Sequence, residues 1–446
     1  MKIAFLAMSG VRAQDPELMA LGLTLPGFVE RSRVIASLPS LGLLTLAGMT
    51  DRRRHSVHYF EAQDLRGGDV VAAGFDLVAI SSLTAQIGTA YAIADRVRAG
   101  GAKVVLGGLH ATALPEEALA HADAVVAGAG ESCWPQVLAD AEAGRLHGIH
   151  HGARFDLADA PMPAFELLEI GRYNRLTVQT ARGCPWRCEF CASSVLLTPR
   201  YDQKPTAKVL AEVDRIRQLW PRPFLEFADD NSFVDRARWR ELLPELARRG
   251  VRWFTETDLS IADDPEFLRQ LRRSGCRQVL IGLESPDADG LDGLELRRNW
   301  KAARSHAAAQ AVRTIQAHGI RVNACFILGL DGQGPEVFER VYDTVRTLAP
   351  FDVQITVQTP FPGTPLHRRL AREGRLLAPG AWERCTLFDV NFRPERMQPE
   401  ELRQGLLDLT RRLYTDEFTR WRRLAWRRLA RQRAAAAGPV PLAAPA

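Results

Sequence analysis

Thr180-Ala181-Arg182-Gly183-Cys184-Pro185-Trp186-Arg187-Cys188-Glu189-Phe190-Cys191 places three thiols within eight positions, in the spacing Cys-x3-Cys-x2-Cys. It directly follows an apolar run, Leu176–Ala181, that reads as a β-strand. Soft thiolates suit both iron–sulfur clusters and zinc. Three of them on one tight loop can hold three irons of a four-iron cluster, leaving the fourth iron for an exogenous ligand. Zinc asks for a fourth protein ligand nearby. The nearest His upstream is His151 and the next Cys downstream is Cys276, both outside the usual short spacing. The residues therefore favour the cluster and leave zinc as the alternative.

Downstream of this loop the chain alternates strands and helices. Strands are predicted at Phe224–Ala228, Arg252–Thr257, Gln278–Gly282, Arg321–Leu328 and Asp352–Gln358. Helical periodicity separates them at Thr206–Leu219, Ala237–Arg249, Pro265–Ser274, His306–His318 and Val337–Leu348. With Leu176–Ala181 this makes six β/α units, an open partial barrel rather than a closed eight-fold one. Upstream, Lys2–Met8, Val57–Glu61, Asp76–Ile80, Lys103–Leu106 and Ala124–Ala127 read as five strands, with helices at Leu38–Met49 and Ile87–Ala99. Such alternation implies a parallel sheet with right-handed crossovers. The fold class is α/β: a doubly wound, Rossmann-like domain over 1–150, a Pro-containing linker over 151–175, the barrel over 176–370, a helical region over 371–433 and a disordered tail over 434–446.

Composition fits this reading. Of 446 residues, 46% are apolar and 25% charged, which excludes disordered, fibrous and disulfide-scaffold classes. No apolar run approaches the ~18–20 residues of a membrane span. Ile3 to Met8 reads as a first strand, not a secretion signal. The net charge of +5 belongs to the end of the chain: from Arg411 onward there are nine Arg and two acids, so the rest of the molecule is slightly acidic. A nucleic-acid-binding body is not implied. Seven cysteines, an odd count with three clustered, make a poor disulfide framework and point to a reducing cytoplasm.

Cys184, Cys188 and Cys191, in this spacing after a β/α-domain strand, resemble the radical S-adenosylmethionine superfamily. The resemblance runs from about Leu176 to Leu370. It implies a [4Fe-4S] cluster on the three cysteines and S-adenosyl-L-methionine on the open iron. It also implies a 5′-deoxyadenosyl radical and a reducing partner of the flavodoxin or ferredoxin class. Asp229-Asp230-Asn231 ends the second barrel strand, where the family carries a polar motif for the methionine amino group; the commoner Gly-Gly-Glu is absent here. Glu284 ends the fourth strand, where the family binds the ribose hydroxyls. Ile327 lies on the fifth, the adenine-contacting strand. Asp229 and Asp230 also read as a helix N-terminal charge pair, and Glu284 as a structural ion-pair partner. Cys276 and Cys325 read as packing residues.

The first domain narrows the branch. Ser81, Ser82 and Thr84, then Gly107 and Gly108, then Gly128 and Glu131, all sit just past strand ends. Small residues there let backbone approach a flat ligand, and polar groups can bond its periphery. The pattern resembles the cobalamin-binding domain of cobalamin-dependent radical enzymes, with a purely structural layer as the alternative. None of the ten His fits Asp-x-His-x-x-Gly, so His110 reads as packing rather than as a cobalt ligand. The segment from Ser9 to Ser32 reads as a loop that folds over the ligand face or lies on the surface.

Gln398–Arg433 reads as continuous helix. Its end places Trp421, Leu424, Ala425 and Leu429 on one face, with Arg around much of the rest. Such a helix packs on the barrel by its apolar stripe, or settles on an anionic membrane surface, contacts an acidic partner or binds nucleic-acid phosphates. The resemblance implies methyl transfer to an unactivated carbon of a small-molecule, lipid or peptide substrate. A radical cyclisation, oxidation or rearrangement is the enzyme alternative, and a non-catalytic iron–sulfur sensor or corrinoid carrier the non-enzyme one. Catalytic side chains and the substrate itself are not marked by any motif.

Overall fold

The computed structural model describes residues 1–8, 13–24, 38–62, 73–193, 196 and 200–436. It divides into two compact units. One comprises Met1–Ala20, Glu30–Asp230 and Val357–Arg393; the other comprises Leu21–Val29, Asn231–Thr356 and Pro394–Ala446.

In the first unit, β1 (Lys2–Met8), β2 (Ser56–Glu61), β3 (Leu77–Ser82), β4 (Lys103–Gly107), β5 (Ala124–Gly128) and β6 (Gly148–Gly152) form one sheet in the order β2-β1-β3-β4-β5-β6. All five of its strand pairings are parallel. Side chains alternate between its two faces. Ala4, Leu6, Ile80 and Leu106 pack with α2 (Ile87–Ala99) on one face. Ile3, Phe5 and Val105 pack on the other with α1 (Leu41–Met49) and with Trp134 and Val137 of α3 (Gly130–Glu142). The Trp134 indole is buried and donates to Thr50 Oγ1 at 2.9 Å, so its one polar atom is satisfied. Chain order reverses beside β1, and the crevice past the strand ends there is where doubly wound sheets bind ligands.

This sheet has six strands rather than the predicted five. The sixth reads Gly-Ile-His-His-Gly, with neither an apolar run nor clean alternation to reveal it. The predicted linker is also more ordered than its prolines suggest. It makes helical turns at Leu157–Asp159, Phe165–Leu167 and Ile170–Arg172. The Ala164 amide donates to Leu44 of α1 at 2.9 Å. A Cβ on Gly48 would fall 2.0 Å from the Met162 carbonyl, so this helix is glycine where the linker backbone crosses it.

The same unit continues through β7 (Leu176–Val178), β8 (Ala181–Arg182), β9 (Asp202–Gln203), α4 (Thr206–Leu219) and β10 (Phe224–Phe227). β10 pairs parallel with β7, and β8 pairs antiparallel with β9.

The second unit carries α5 (Arg236–Arg249), β11 (Arg252–Thr257), α6 (Pro265–Arg273), β12 (Cys276–Glu284), α7 (Ala308–Ala317), β13 (Arg321–Leu328), α8 (Val337–Leu348) and β14 (Asp352–Val357). Its strands run in the order β14-β13-β12-β11. Each lies beside its predecessor in sequence, as in a barrel wall. Asp235 and Asp264 cap α5 and α6 through their side chains, with Pro265 in the first turn of α6, which is why these boundaries were legible. On β13, Val322, Ala324, Phe326 and Leu328 are fully buried on one face. Asn323, Cys325 and Ile327 occupy the other and keep slight exposure.

The C-terminal helix is broken, not continuous. α9 (Pro399–Leu413) and α10 (Asp416–Ala436) are separated at Tyr414–Thr415, where the buried Tyr414 hydroxyl donates to Val353 O at 2.9 Å. The packed face of α10 also differs from the predicted stripe. Trp421 and Leu424 are 39% and 40% exposed, whereas Arg422 is fully buried. Its guanidinium donates to Leu413 O and Thr419 Oγ1, both at 3.3 Å, and lies over the Phe418 ring. Phe351 and Trp426 meet edge to face beside it. The predicted disordered tail lies largely outside the described residues, as does half of the segment from Ser9 to Ser32; the other half is not the expected loop throughout, because Pro16–Thr24 forms a helix. Among the described residues no helix is long and apolar enough to cross a membrane.

Candidate cluster-binding and corrinoid-binding sites

The cysteine loop begins where β7 stops. The strand was predicted to run to Ala181, but it ends at Val178 because the next amides are taken by a side chain. Thr180 and Ala181 donate their N–H groups to Asp229 Oδ1 at 2.7 and 2.9 Å, and the Thr180 hydroxyl donates to Asp229 Oδ2. Asp229 is buried. Its neighbour Asp230 reaches both ends of the loop: it accepts from the Gly183 amide at 3.0 Å, just before Cys184, and from Ser193 Oγ at 2.5 Å, just after Cys191. Gly183 has φ +85°, a backbone conformation that favours glycine. Within the loop, the Cys191 amide donates to Cys188 O at 3.1 Å. Glu189 accepts a two-pronged bond from Arg369, at 2.6 and 3.1 Å, and its carbonyl accepts from the Leu366 amide. Cys188 is buried, and Cys184 and Cys191 are partly exposed.

The two carboxylates thus lie at the strand end where the sequence put them, but their oxygens hold the loop backbone. Asp229 has both oxygens engaged by Thr180 and Ala181, and Asp230 has one on each flank of the loop. The β8–β9 pair and the helix Pro365–Arg372 complete this frame; neither was singled out from sequence.

At the first sheet's strand ends, Ser81, Ser82, Gly107 and Gly128 are the closing residues of β3, β4 and β5 rather than lying past them as expected; Ser82 and Thr84 are buried, and Ser82 Oγ donates to Leu83 O at 2.9 Å, which holds the turn. Ser81 and Gly107 are partly exposed, and Leu83 between the two buried hydroxyl residues is 44% exposed. Gly108 and Gly128 both have φ +98°. Thr112 ties their loops together: its hydroxyl donates to Gly108 O at 2.8 Å and accepts from the Gly128 amide at 3.0 Å. His110 is fully buried and contacts Glu117 at 3.1 Å through Nε2, under the Trp382 ring. Burial lowers its pKa despite that carboxylate. Its place is the packing role expected. Glu131, in the first turn of α3, is buried and forms an ion pair with Arg182, two residues before Cys184.

In the second unit, Glu284 closes β12 with φ +63°, rare for a residue with a side chain, and the β12–β13 register shifts between Gly282 and Glu284. It is buried and paired with Lys301, whose ammonium also donates to Gly282 O at 3.1 Å. A Cβ on Gly282 would fall 2.2 Å from Glu284 Oε1. Ile327 lies on the slightly exposed face of β13, and its carbonyl accepts from Gln333. Gln333 is a residue that sequence reading missed. Buried at the turn after β13, it accepts from the Gly329 and Leu330 amides at 2.9 and 3.1 Å and donates to Ser285 Oγ at 3.2 Å. It thereby joins the ends of β12 and β13. An isolated glutamine in a Gly-rich turn gives no local signal.

The donor set fits an iron–sulfur cluster. Three thiols of graded exposure lie on one loop whose backbone is fixed by other side chains. Three thiolates on one loop match the ligand set of a four-iron cluster with one iron left open. Leu83, apolar and 44% exposed, follows β3 beside the β1–β3 reversal, where doubly wound sheets bind ligands.

Comparison with known proteins finds family models over three parts of the chain. Residues 178–345 match the Radical SAM superfamily, residues 33–138 the B12 binding domain, and residues 364–436 a domain of unknown function, DUF4070. An uncharacterized methyltransferase of Synechocystis sp. is 31% identical over 372 residues, spanning 80% of this chain and 68% of the relative. Bacteriochlorophyllide d C-12(1)-methyltransferase of Chlorobaculum tepidum is 28% identical over 370 residues, 80% of this chain and 79% of its own. In fold, the chain is similar to TsrM, a radical S-adenosylmethionine methyltransferase from Kitasatospora setae solved with cobalamin and a [4Fe-4S] cluster. The TM-score is 0.66 at 15% identity, covering 98% of this chain and 100% of that one. With the cysteine loop, the B12-type sheet and these relatives in hand, the chain belongs to the radical S-adenosylmethionine enzymes that carry a B12-binding domain before the barrel.

Proposed function

We propose that the chain transfers a methyl group to an unactivated carbon of a small molecule. When bound, the [4Fe-4S] cluster and S-adenosylmethionine supply a carbon-centred radical, and cobalamin supplies the methyl group. The observation that carries this reading is the cysteine loop pinned by Asp229 and Asp230, in a chain whose first sheet is of the B12-binding type. Cys184, Cys188 and Cys191 hold the cluster. Glu284, backed by Lys301, is the carboxylate for the ribose hydroxyls, and the slightly exposed face of β13 at Ile327 borders the adenine. Ser81, Gly107, Gly108 and Gly128 border the corrinoid. The radical chemistry of this reading requires that stray hydrogen donors be kept from the reactive carbon.

A flavodoxin- or ferredoxin-class protein in a reducing cytoplasm supplies the electron. The exposed face of α10, with Leu424 and Trp421 among Arg420, Arg427, Arg428 and Arg431, supports contact with an anionic membrane surface. Anaerobic reconstitution with S-adenosylmethionine, cobalamin and a reductant tests the main reading. Formation of both 5′-deoxyadenosine and S-adenosylhomocysteine is expected, with a product heavier by one methylene. Deoxyadenosine without S-adenosylhomocysteine would leave a radical cyclisation or oxidation instead. Retention by vesicles containing anionic phospholipid, absent with neutral ones, checks the membrane contact.

A further inference from the structure

We infer that Glu131 is the counter-charge of Arg182 and that this pair sets the position and charge environment of the cluster loop, rather than Glu131 contacting the corrinoid. The inference rests on the cofactor reading above. Glu131 lies just past β5 on the ligand edge of the first sheet, where sequence alone makes it a contact for a bound ligand. Its side chain is only 8% exposed and Arg182 Nη2 is bonded to its Oε1. Arg182 in turn is 24% exposed, and its Nε donates to Gln179 Oε1 at 2.8 Å. Carboxylate, guanidinium and carboxamide therefore form one chain from the first turn of α3 to the residues flanking β8.

The other anchors of the loop act elsewhere. Asp229 and Asp230 hold it from the end of β10, and Arg369 holds Glu189 near its far end. Of the anchors described, only Arg182–Glu131 joins it to the first sheet. Arg182 is also a fixed cation two residues before Cys184, so its neutralisation by Glu131 belongs to the charge sum around the cluster. Cluster potentials respond to net charge and to hydrogen bonding near the sulfurs.

Glu131→Gln keeps the shape and removes the negative charge. The test is cluster content, an electron-paramagnetic-resonance redox titration and cobalamin affinity by absorbance, all on full-length protein. Expected are wild-type iron content, cobalamin affinity within about twofold of wild type, and a cluster potential shifted to less negative values. The exchange Glu131→Arg with Arg182→Glu should restore iron content lost in Glu131→Arg alone. If Glu131→Gln weakens cobalamin binding by roughly tenfold or more while the potential stays fixed, Glu131 is a ligand contact and the inference fails. If neither property moves, the pair is idle and it fails as well. Wild-type protein that takes up neither cluster nor cobalamin would overturn the cofactor reading itself, a separate and recognisable result.

Discussion

Replacing Asp229 by Ala removes one acceptor from three donors at once: the amides of Thr180 and Ala181 and the Thr180 hydroxyl. All three are buried, so water does not replace the lost carboxylate. At about 1–3 kcal/mol for each buried donor left without a partner, the two amides alone cost about 4 kcal/mol. The hydroxyl can rotate and adds less. A net stability of about 5–15 kcal/mol makes this a large loss. Asp229→Asn should be mild, because its carboxamide oxygen can still accept both amides, and a cost near 1 kcal/mol is expected. Anaerobic urea unfolding gives the stability, and iron per chain gives the state of the loop. The Ala variant should unfold at markedly lower urea and hold little iron, while the Asn variant keeps most of both. An Ala variant with full iron and unchanged stability would refute the reasoning. So would an Asn variant that folds and binds iron normally but no longer binds S-adenosylmethionine, because that makes Asp229 a ligand contact instead.

Cys184→Ala, Cys188→Ala and Cys191→Ala should each abolish the cluster's visible absorption and deoxyadenosine formation; persistence of deoxyadenosine in all three would displace the site. Gly282→Ala should push the Glu284 carboxylate off its place and weaken S-adenosylmethionine binding roughly tenfold or more, the worth of one charge-assisted hydrogen bond, with little change in thermal unfolding. Equal losses of binding and stability would instead mean that the substitution disrupts the strand. Burial lowers the pKa of His110, so the unfolded chain takes up this proton first as pH falls below 6.5, and stability should drop in that window. Thermal unfolding at pH 5.5–7.5 of the wild type and of His110→Asn checks this: the slope should flatten in the variant.

The barrel strands were legible because buried parallel strands read as apolar runs, and the helices between them because Asp caps and a first-turn Pro mark their starts. What was not legible follows from physics that local pattern does not carry. β6 is stabilised as the edge of a parallel sheet rather than by its own Gly-Ile-His-His-Gly sequence. The face of α10 was misread because Arg422 counts as polar in any periodicity, yet its guanidinium is spent on carbonyls and a ring. At the site, the strand-end rule placed Asp229, Asp230 and Glu131 at the right edges. It could not say that their oxygens turn toward backbone amides and Arg182, because those partners are as distant as 51 residues in sequence.

The seat for the cysteines is built by bonds among protein atoms, from the end of a barrel strand. None of those bonds runs through iron or sulfide. Oxidative loss of the metal would then be an injury to the cargo and not to the vessel. Repair by the cell's assembly machinery, or refilling in a glove box, would need no unfolding of the chain, and a preparation bleached by air should be worth recharging.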